Sequence, residues 1–122
     1  MLFNTSLPLR FESSKSSFSL DADADVSTVL ETSIGQGKTL VTPMHMALVV
    51  SAIANDGVLK NPYLIDHTEN YNGIVVDAYE PTEYGTLLSS EDASFLQTFM
   101  REVVEDGTGA RLLGQSFTAA GK

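Results

Sequence analysis

The segment from Thr42 to Gly57 limits what this chain can fold into more than any other. Thr42 can cap a helix, and Pro43 suits the first helical position, where its missing N–H would go unpaired in any case. From Met44 to Asn55 the pattern is apolar nearly all round, including Leu48, Val49, Val50, Ala52 and Ile53. A helix with no polar face is buried on several sides, so other elements must surround it. Gly57 supplies a left-handed stop. Met44 and Met46 read as ordinary core filler.

The elements around this helix follow from shorter-range signals. Residues 1–27 are polar and Ser-rich and read as extended or irregular, with Phe3, Phe11 and Phe18 as anchors onto a core. Ser33-Ile34-Gly35-Gln36-Gly37-Lys38 closes residues 28–41 with a tight turn whose backbone angles suit glycine. A strand is expected over residues 58–67, broken or placed at an edge by Pro62. A second is expected from Gly73 to Glu80 after an Asn-rich turn. A second helix starts after Ser89, which stands at capping-box spacing from Asp92. Its apolar stripe is Leu96, Phe99, Met100, Val103 and Val104, and Gly107 ends it. Residues 116–120 read as the start of a last strand. There is no internal repeat.

Charge and cysteine content exclude several functions. Seven Lys and Arg against 16 Asp and Glu give a net charge of -9, which repels phosphate backbones and anionic membrane surfaces. Nucleic acid is therefore not an expected partner. The absence of cysteine removes disulfides, thiolate metal sites and cysteine catalysis. No stretch reaches the roughly 18 apolar residues that span a bilayer. The N-terminus carries no signal-peptide pattern.

Single motifs carry little. Gly37-Lys38-Thr39 looks like the tail of a phosphate-binding loop, but Thr32 stands where that loop needs glycine and no apolar strand precedes it. Asp21, Asp23 and Asp25 look like the start of a calcium loop, yet Val26 and Thr32 occupy the glycine and glutamate positions. His45 and His67 stand alone, with no second ligand at metal spacing, so no metal site and no cofactor are expected. Glu102, Glu105 and Asp106 read as a solvated helix face. Asn4-Thr5-Ser6 is a short sequon of a kind common by chance.

Three blocks taken in order say more. They are Thr32-Ser33-Ile34-Gly35-Gln36-Gly37 with Val41-Thr42-Pro43-Met44-His45-Met46-Ala47; Ala52-Ile53-Ala54-Asn55-Asp56-Gly57-Val58 with Asn61-Pro62-Tyr63-Leu64; and Met100-Arg101-Glu102-Val103-Val104-Glu105-Asp106-Gly107-Thr108-Gly109 leading to Ala119-Ala120-Gly121-Lys122. Their order and spacing resemble the C-terminal part of the transpeptidase domain of penicillin-binding proteins, above all the class B D,D-transpeptidases of the serine β-lactamase-like superfamily. The likeness runs over residues 28–122. His45 stands where that family more often has Gln.

The resemblance implies a partial α+β fold, with helices packed on part of an antiparallel sheet and residues 1–122 forming part of one domain. It also implies a fragment of a bacterial, cell-wall cross-linking D,D-transpeptidase. In that family a serine of an S-x-x-K motif attacks the peptidoglycan stem peptide, an S-x-N motif assists proton transfer, and a K-[ST]-G strand holds the substrate carboxylate. A serine alcohol is a poor nucleophile until a base takes its proton. Here no Ser stands three residues before a Lys, since Glu12, Gly35, Gly57 and Ala119 precede Lys15, Lys38, Lys60 and Lys122, and no Ser is followed two residues later by Asn. Lys122 matches the lysine of K-[ST]-G, and residues 28–122 end at the start of that strand.

The chain alone is thus expected to be inactive, while its parent would bind stem peptides and β-lactams at the extracytoplasmic face of the cytoplasmic membrane. A β-lactam sensor or a D,D-carboxypeptidase on the same fold is a related alternative. An acidic binding module with no enzymatic ancestry is an unrelated one. Exposed apolar surface and unpaired strand edges lead to an expectation of self-association.

Overall fold

In the computed structural model, which describes residues 2–122, the first regular element begins after Asp25. The Asp25 carboxylate accepts the backbone N–H and the hydroxyl of Thr28, both at 3.0 Å, and caps α1, Val26–Ser33. This helix is not among the elements expected from the sequence, and the irregular segment ends at Asp25 rather than at residue 27. Val26, Val29 and Leu30 are all exposed, so α1 rests on its cap and has no buried stripe that periodicity could reveal.

The remaining elements are α2 (Pro43–Ala54), β1 (Val58–Lys60), β2 (His67–Glu69), β3 (Val75–Ala78), β4 (Glu83–Thr86), α3 (Ser90–Glu105) and a 3-10 turn over Ala110–Leu112. The α+β class is as expected. The strands form two separate antiparallel pairs, β1 with β4 and β2 with β3. The expected strand over 58–67 is present only at its two ends, because Pro62 has no N–H to continue a ladder. No strand was expected over β4, whose residues Glu83-Tyr84-Gly85-Thr86 lack an apolar alternation. Residues 116–120 do not form a strand either.

The chain divides into two units, one of residues up to Leu48 with Asn61–Thr82, the other of Val49–Lys60 with Glu83–Lys122. Helix α2 begins in the first and ends in the second.

In the first unit the polar N-terminal segment is held by specific bonds. Ser17 and Leu40 exchange both backbone hydrogen bonds, at 2.8 and 3.0 Å. The buried Ser16 hydroxyl accepts the Thr42 N–H at 3.0 Å. The Asn4 amide donates to the Phe18 carbonyl at 2.7 Å and accepts the Phe18 N–H at 3.1 Å. Phe3 meets the ring of Phe18 at 5.9 Å and the buried ring of His45 at 4.7 Å. Phe3 and Phe18 are thus anchored as expected, and His45 is a packed core histidine. The glycine turn is also present, with Gly35 and Gly37 at φ of 76° and 72°. In the β2–β3 hairpin, the Asn70 side chain accepts the N–H groups of Asn72 and Ile74 and organises the connection.

The second unit is built around Leu59, Ala52, Ile53, Ala93 and Val104, all buried. Gly57 adopts φ 88° after α2, and its carbonyl accepts the N–H groups of Leu87 and Leu88. Strand β1 then pairs with β4, with Leu59 opposite Gly85 and the Lys60 ammonium 2.9 Å from the Glu83 carboxylate. The Ser89 hydroxyl accepts the Asp92 N–H at 3.0 Å and donates to its carboxylate at 2.6 Å, which completes the expected cap of α3.

Two packing expectations need correction. Helix α2 is buried along His45, Leu48, Ala52 and Ile53 only, while Met46 and Val50 are exposed, so the described residues cover one face of it. On α3 the buried positions are Ala93 and Val104. Phe99, which the spacing puts in the apolar stripe, instead lies half exposed beside Phe95, with ring centroids 4.5 Å apart.

Candidate functional site

The segment leading to Lys122 is positioned by α3. Beyond Glu105 the chain reverses through Gly107 and Gly109, and the Gly109 N–H donates to the Val103 carbonyl at 2.8 Å. A Cβ on Gly107 would lie 2.8 Å from that same carbonyl oxygen, so the reversal needs glycine there for space. After the 3-10 turn, residues 116–122 come back to the helix. Arg101 Nη1 donates to the Ala119 carbonyl at 2.9 Å, and Arg101 Nε donates to the Glu105 carboxylate at 2.6 Å. The Gly121 N–H donates to the Met100 carbonyl at 2.9 Å.

These contacts explain why no strand forms over 116–120. One carbonyl and one N–H that a ladder could use are committed to a helix. Lys122 follows directly, with its side chain exposed. Two hydrogen bonds therefore fix the backbone on both sides of Ala120, while the ammonium group stays in solvent.

The other residues weighed from the sequence have local roles. Asp25 is a helix cap, and the hydrogen bonds from Thr28 hold its carboxyl below the usual value of 3.8. Asp21 and Asp23 are exposed. Gly37-Lys38-Thr39 follows a helix, α1, and not a strand, so the geometry of a phosphate loop is missing. The Asn4 amide of the sequon is engaged with Phe18. Glu105 pairs with Arg101.

His67 is not alone as the sequence suggested. Its Nδ1 lies 3.1 Å from the Asp66 carboxylate and its Nε2 3.0 Å from that of Glu69. The hydrogen bond to Asp66, then that to Glu69, raises the imidazole above its ordinary 6.5, and the same contact lowers Asp66 below 3.8. Each ring nitrogen takes a different carboxylate, so the three groups bridge and do not converge on a common point. Asp66 and Glu69 stand one and two positions from His67 in the chain, and the alternation of β2 puts His67 and Glu69 on one face, so the spacing Asp66-His67-Thr68-Glu69 was a readable signal. Two of the hydroxyls bonded to carboxylates, Thr28 and Ser89, serve helix caps rather than a nucleophile–base pair.

Residues 3–122 match the family model described as the penicillin binding protein transpeptidase domain. The match therefore includes the N-terminal segment as well as residues 28–122. The penicillin-binding protein PbpB of Mycolicibacterium smegmatis is 33% identical over 96 residues, which are 73% of this chain and 14% of that protein. The D,D-transpeptidase domain of a peptidoglycan glycosyltransferase from Eggerthella lenta is 26% identical with a TM-score of 0.72, covering 99% of this chain and 33% of that one. Penicillin-binding protein A of M. tuberculosis, solved as its imipenem acyl-enzyme complex, is 20% identical with a TM-score of 0.69, covering 84% of this chain and 23% of that one. The chain thus spans about a seventh of the curated relative and a quarter to a third of these solved chains.

Proposed function

The chain belongs to the penicillin binding protein transpeptidase domain family, and from that membership we propose that it is part of a D,D-transpeptidase that cross-links peptidoglycan, with Lys122 as the lysine of the K-[ST]-G strand. The observation that carries this reading is the family match over residues 3–122, which contains the three motif blocks in register. The match also removes the reading of a binding module without enzymatic ancestry.

The chemistry of the site divides between what these residues supply and what they do not. Acyl transfer from a D-Ala-D-Ala stem needs a hydroxyl nucleophile, a base for its proton, donors for the oxyanion and a cation for the substrate carboxylate. Lys122 is offered for the last of these roles. A fixed backbone on both sides of Ala120 supports that role, because a carboxylate is recognised best by a cation whose position is set beforehand. The nucleophile and its base would come from S-x-x-K and S-x-N motifs, which this sequence does not contain. The 122 residues alone therefore form no acyl-enzyme, and the parent takes β-lactams as its relative from M. tuberculosis takes imipenem. Its stem-peptide substrate lies outside the cell, which assigns the parent to the extracytoplasmic face of the cytoplasmic membrane.

Labelling with a fluorescent penicillin tests the reading in two arms. The 122-residue chain should give no adduct. A domain in which this segment is joined to S-x-x-K and S-x-N motifs should be acylated, and Lys122→Ala should slow that acylation by about tenfold or more. A stoichiometric adduct on the chain alone, or acylation indifferent to Lys122→Ala, would contradict the assignment.

Self-association is part of the same proposal. Ile74, Val75 and Val76 on and beside β3, and Phe95 and Phe99 on α3, are exposed, and both strand pairs carry open edges among the described residues. Light scattering across a concentration series should show a mass above that of the monomer. A constant monomer mass at high concentration would refute it.

A further inference from the structure

The first unit contains a groove of about 490 Å³, within the range that accommodates a small organic ligand. Its wall is the stacked pair Tyr63 and Tyr79, with ring centroids 4.1 Å apart and planes 25° apart. The Tyr79 hydroxyl donates to the Asn61 carbonyl at 3.4 Å, which ties that ring to its own backbone layer. Leu9, Phe11, Met44, Pro62, Leu64 and Ile65 form the rest of the apolar lining. Tyr63 and Phe11 keep 47% and 46% of their surface exposed, so apolar area remains for a ligand to cover.

One charged residue, Arg10, lines this groove, and no acidic residue does. The described residues give Arg10 no ion pair, in a chain that carries 16 carboxylates. A cationic ligand would be repelled. A neutral one would gain nothing from the guanidinium, whereas an acidic group would meet it in a charge-assisted hydrogen bond. We propose that this groove binds a small amphiphilic anion, a flat apolar body carrying one acidic group, with the body on the Tyr63–Tyr79 wall and the acid on Arg10. The overall charge of -9 does not prevent this, because ions screen distant charges beyond about 8 Å at physiological salt. Met44, Pro62, Tyr63 and Leu64 of this groove belong to the motif blocks of the family resemblance, but the proposal does not use Lys122 or its assignment.

The probe is 8-anilinonaphthalene-1-sulfonate, a flat aromatic body with one sulfonate, followed by fluorescence and by methionine-methyl NMR. One saturable site per chain is expected. The Met44 methyl should shift while that of Met46, exposed on the same helix but outside the groove, does not. Arg10→Gln should weaken the probe about tenfold, the scale of a lost charge-assisted hydrogen bond, and leave uncharged N-phenyl-1-naphthylamine unaffected. Arg10 is exposed, so the substitution leaves the fold intact, and circular dichroism checks this. Equal probe binding by wild type and Arg10→Gln, an unmoved Met44 methyl, or unsaturable binding overturns the proposal.

Discussion

Arg101 and Ala119, 18 residues apart in sequence, are joined by a 2.9 Å hydrogen bond from the guanidinium to the carbonyl. The same side chain is held from its other side by Glu105, one helical turn away. The pair converts a polar position on the face of α3 into the anchor for the backbone that carries Lys122.

Arg101→Ala should therefore release the C-terminal segment while leaving α3 formed. The expected loss is about 1–2 kcal/mol, the scale for a charged donor in a partly exposed setting. Hydrogen exchange at the Gly121 amide, which donates to Met100, should accelerate more than exchange within α3. Uniform acceleration throughout the helix would mean that Arg101 stabilises α3 itself and not the segment.

Gly57→Ala should be among the most damaging single changes. Its φ of 88° disfavours any side chain, and an added Cβ would sit 2.2 Å from the Leu88 carbonyl oxygen. Both effects act where the Gly57 carbonyl organises Leu87 and Leu88, so a loss of about 3 kcal/mol or more in urea unfolding is expected. A loss below 1 kcal/mol would show that the α2–β1 connection relaxes easily.

Leu59→Ala and Val76→Thr make a contrasting pair. Leu59 is 1% exposed, so truncating it should cost about 2–5 kcal/mol through lost burial and a cavity. Val76 on β3 is largely exposed, and its replacement should change stability by no more than about 0.5 kcal/mol. Similar losses for both would contradict the assignment of Leu59 to the core.

The His67 cluster should make the β2–β3 hairpin sensitive to pH from both sides. Because the imidazole is raised above 6.5, its ion pairs contribute fully below 6.5 and are lost as pH rises through the raised folded value. Because Asp66 is lowered below 3.8, its contribution is present above 3.8 and is lost as pH falls through the lowered value. The hairpin is thus best held between these ordinary values. NMR titration should place His67 above 6.5, and Asp66→Asn should bring it down. An unchanged titration in Asp66→Asn would show that Asp66 is not the main cause.

Ser89→Ala should remove both bonds of the capping box and cost about 1 kcal/mol. Ser90→Ala, one position inside α3, makes no cap bond and should be nearly neutral in the same thermal unfolding measurement. Equal effects would rule out the hydroxyl–Asp92 contact as the source.

Sequence alone was enough for the local features of this protein. Thr42 and Pro43 start α2, Gly57 stops it, Ser89 and Asp92 cap α3, and the glycines at 35 and 37 turn the chain, because each signal acts within about four residues of itself. The order of the motif blocks, also a property of sequence, was enough to indicate the family. What it did not contain was any relation between distant segments. Whether Glu83–Thr86 pairs with β1, whether residues 116–122 lie on a strand or against α3, and whether Arg10 lines an aromatic groove were all decided by tertiary structure. Such contacts join residues 18 or more positions apart or depend on strand register, and their energies come from burial and hydrogen bonds that exist only once the chain has closed those loops.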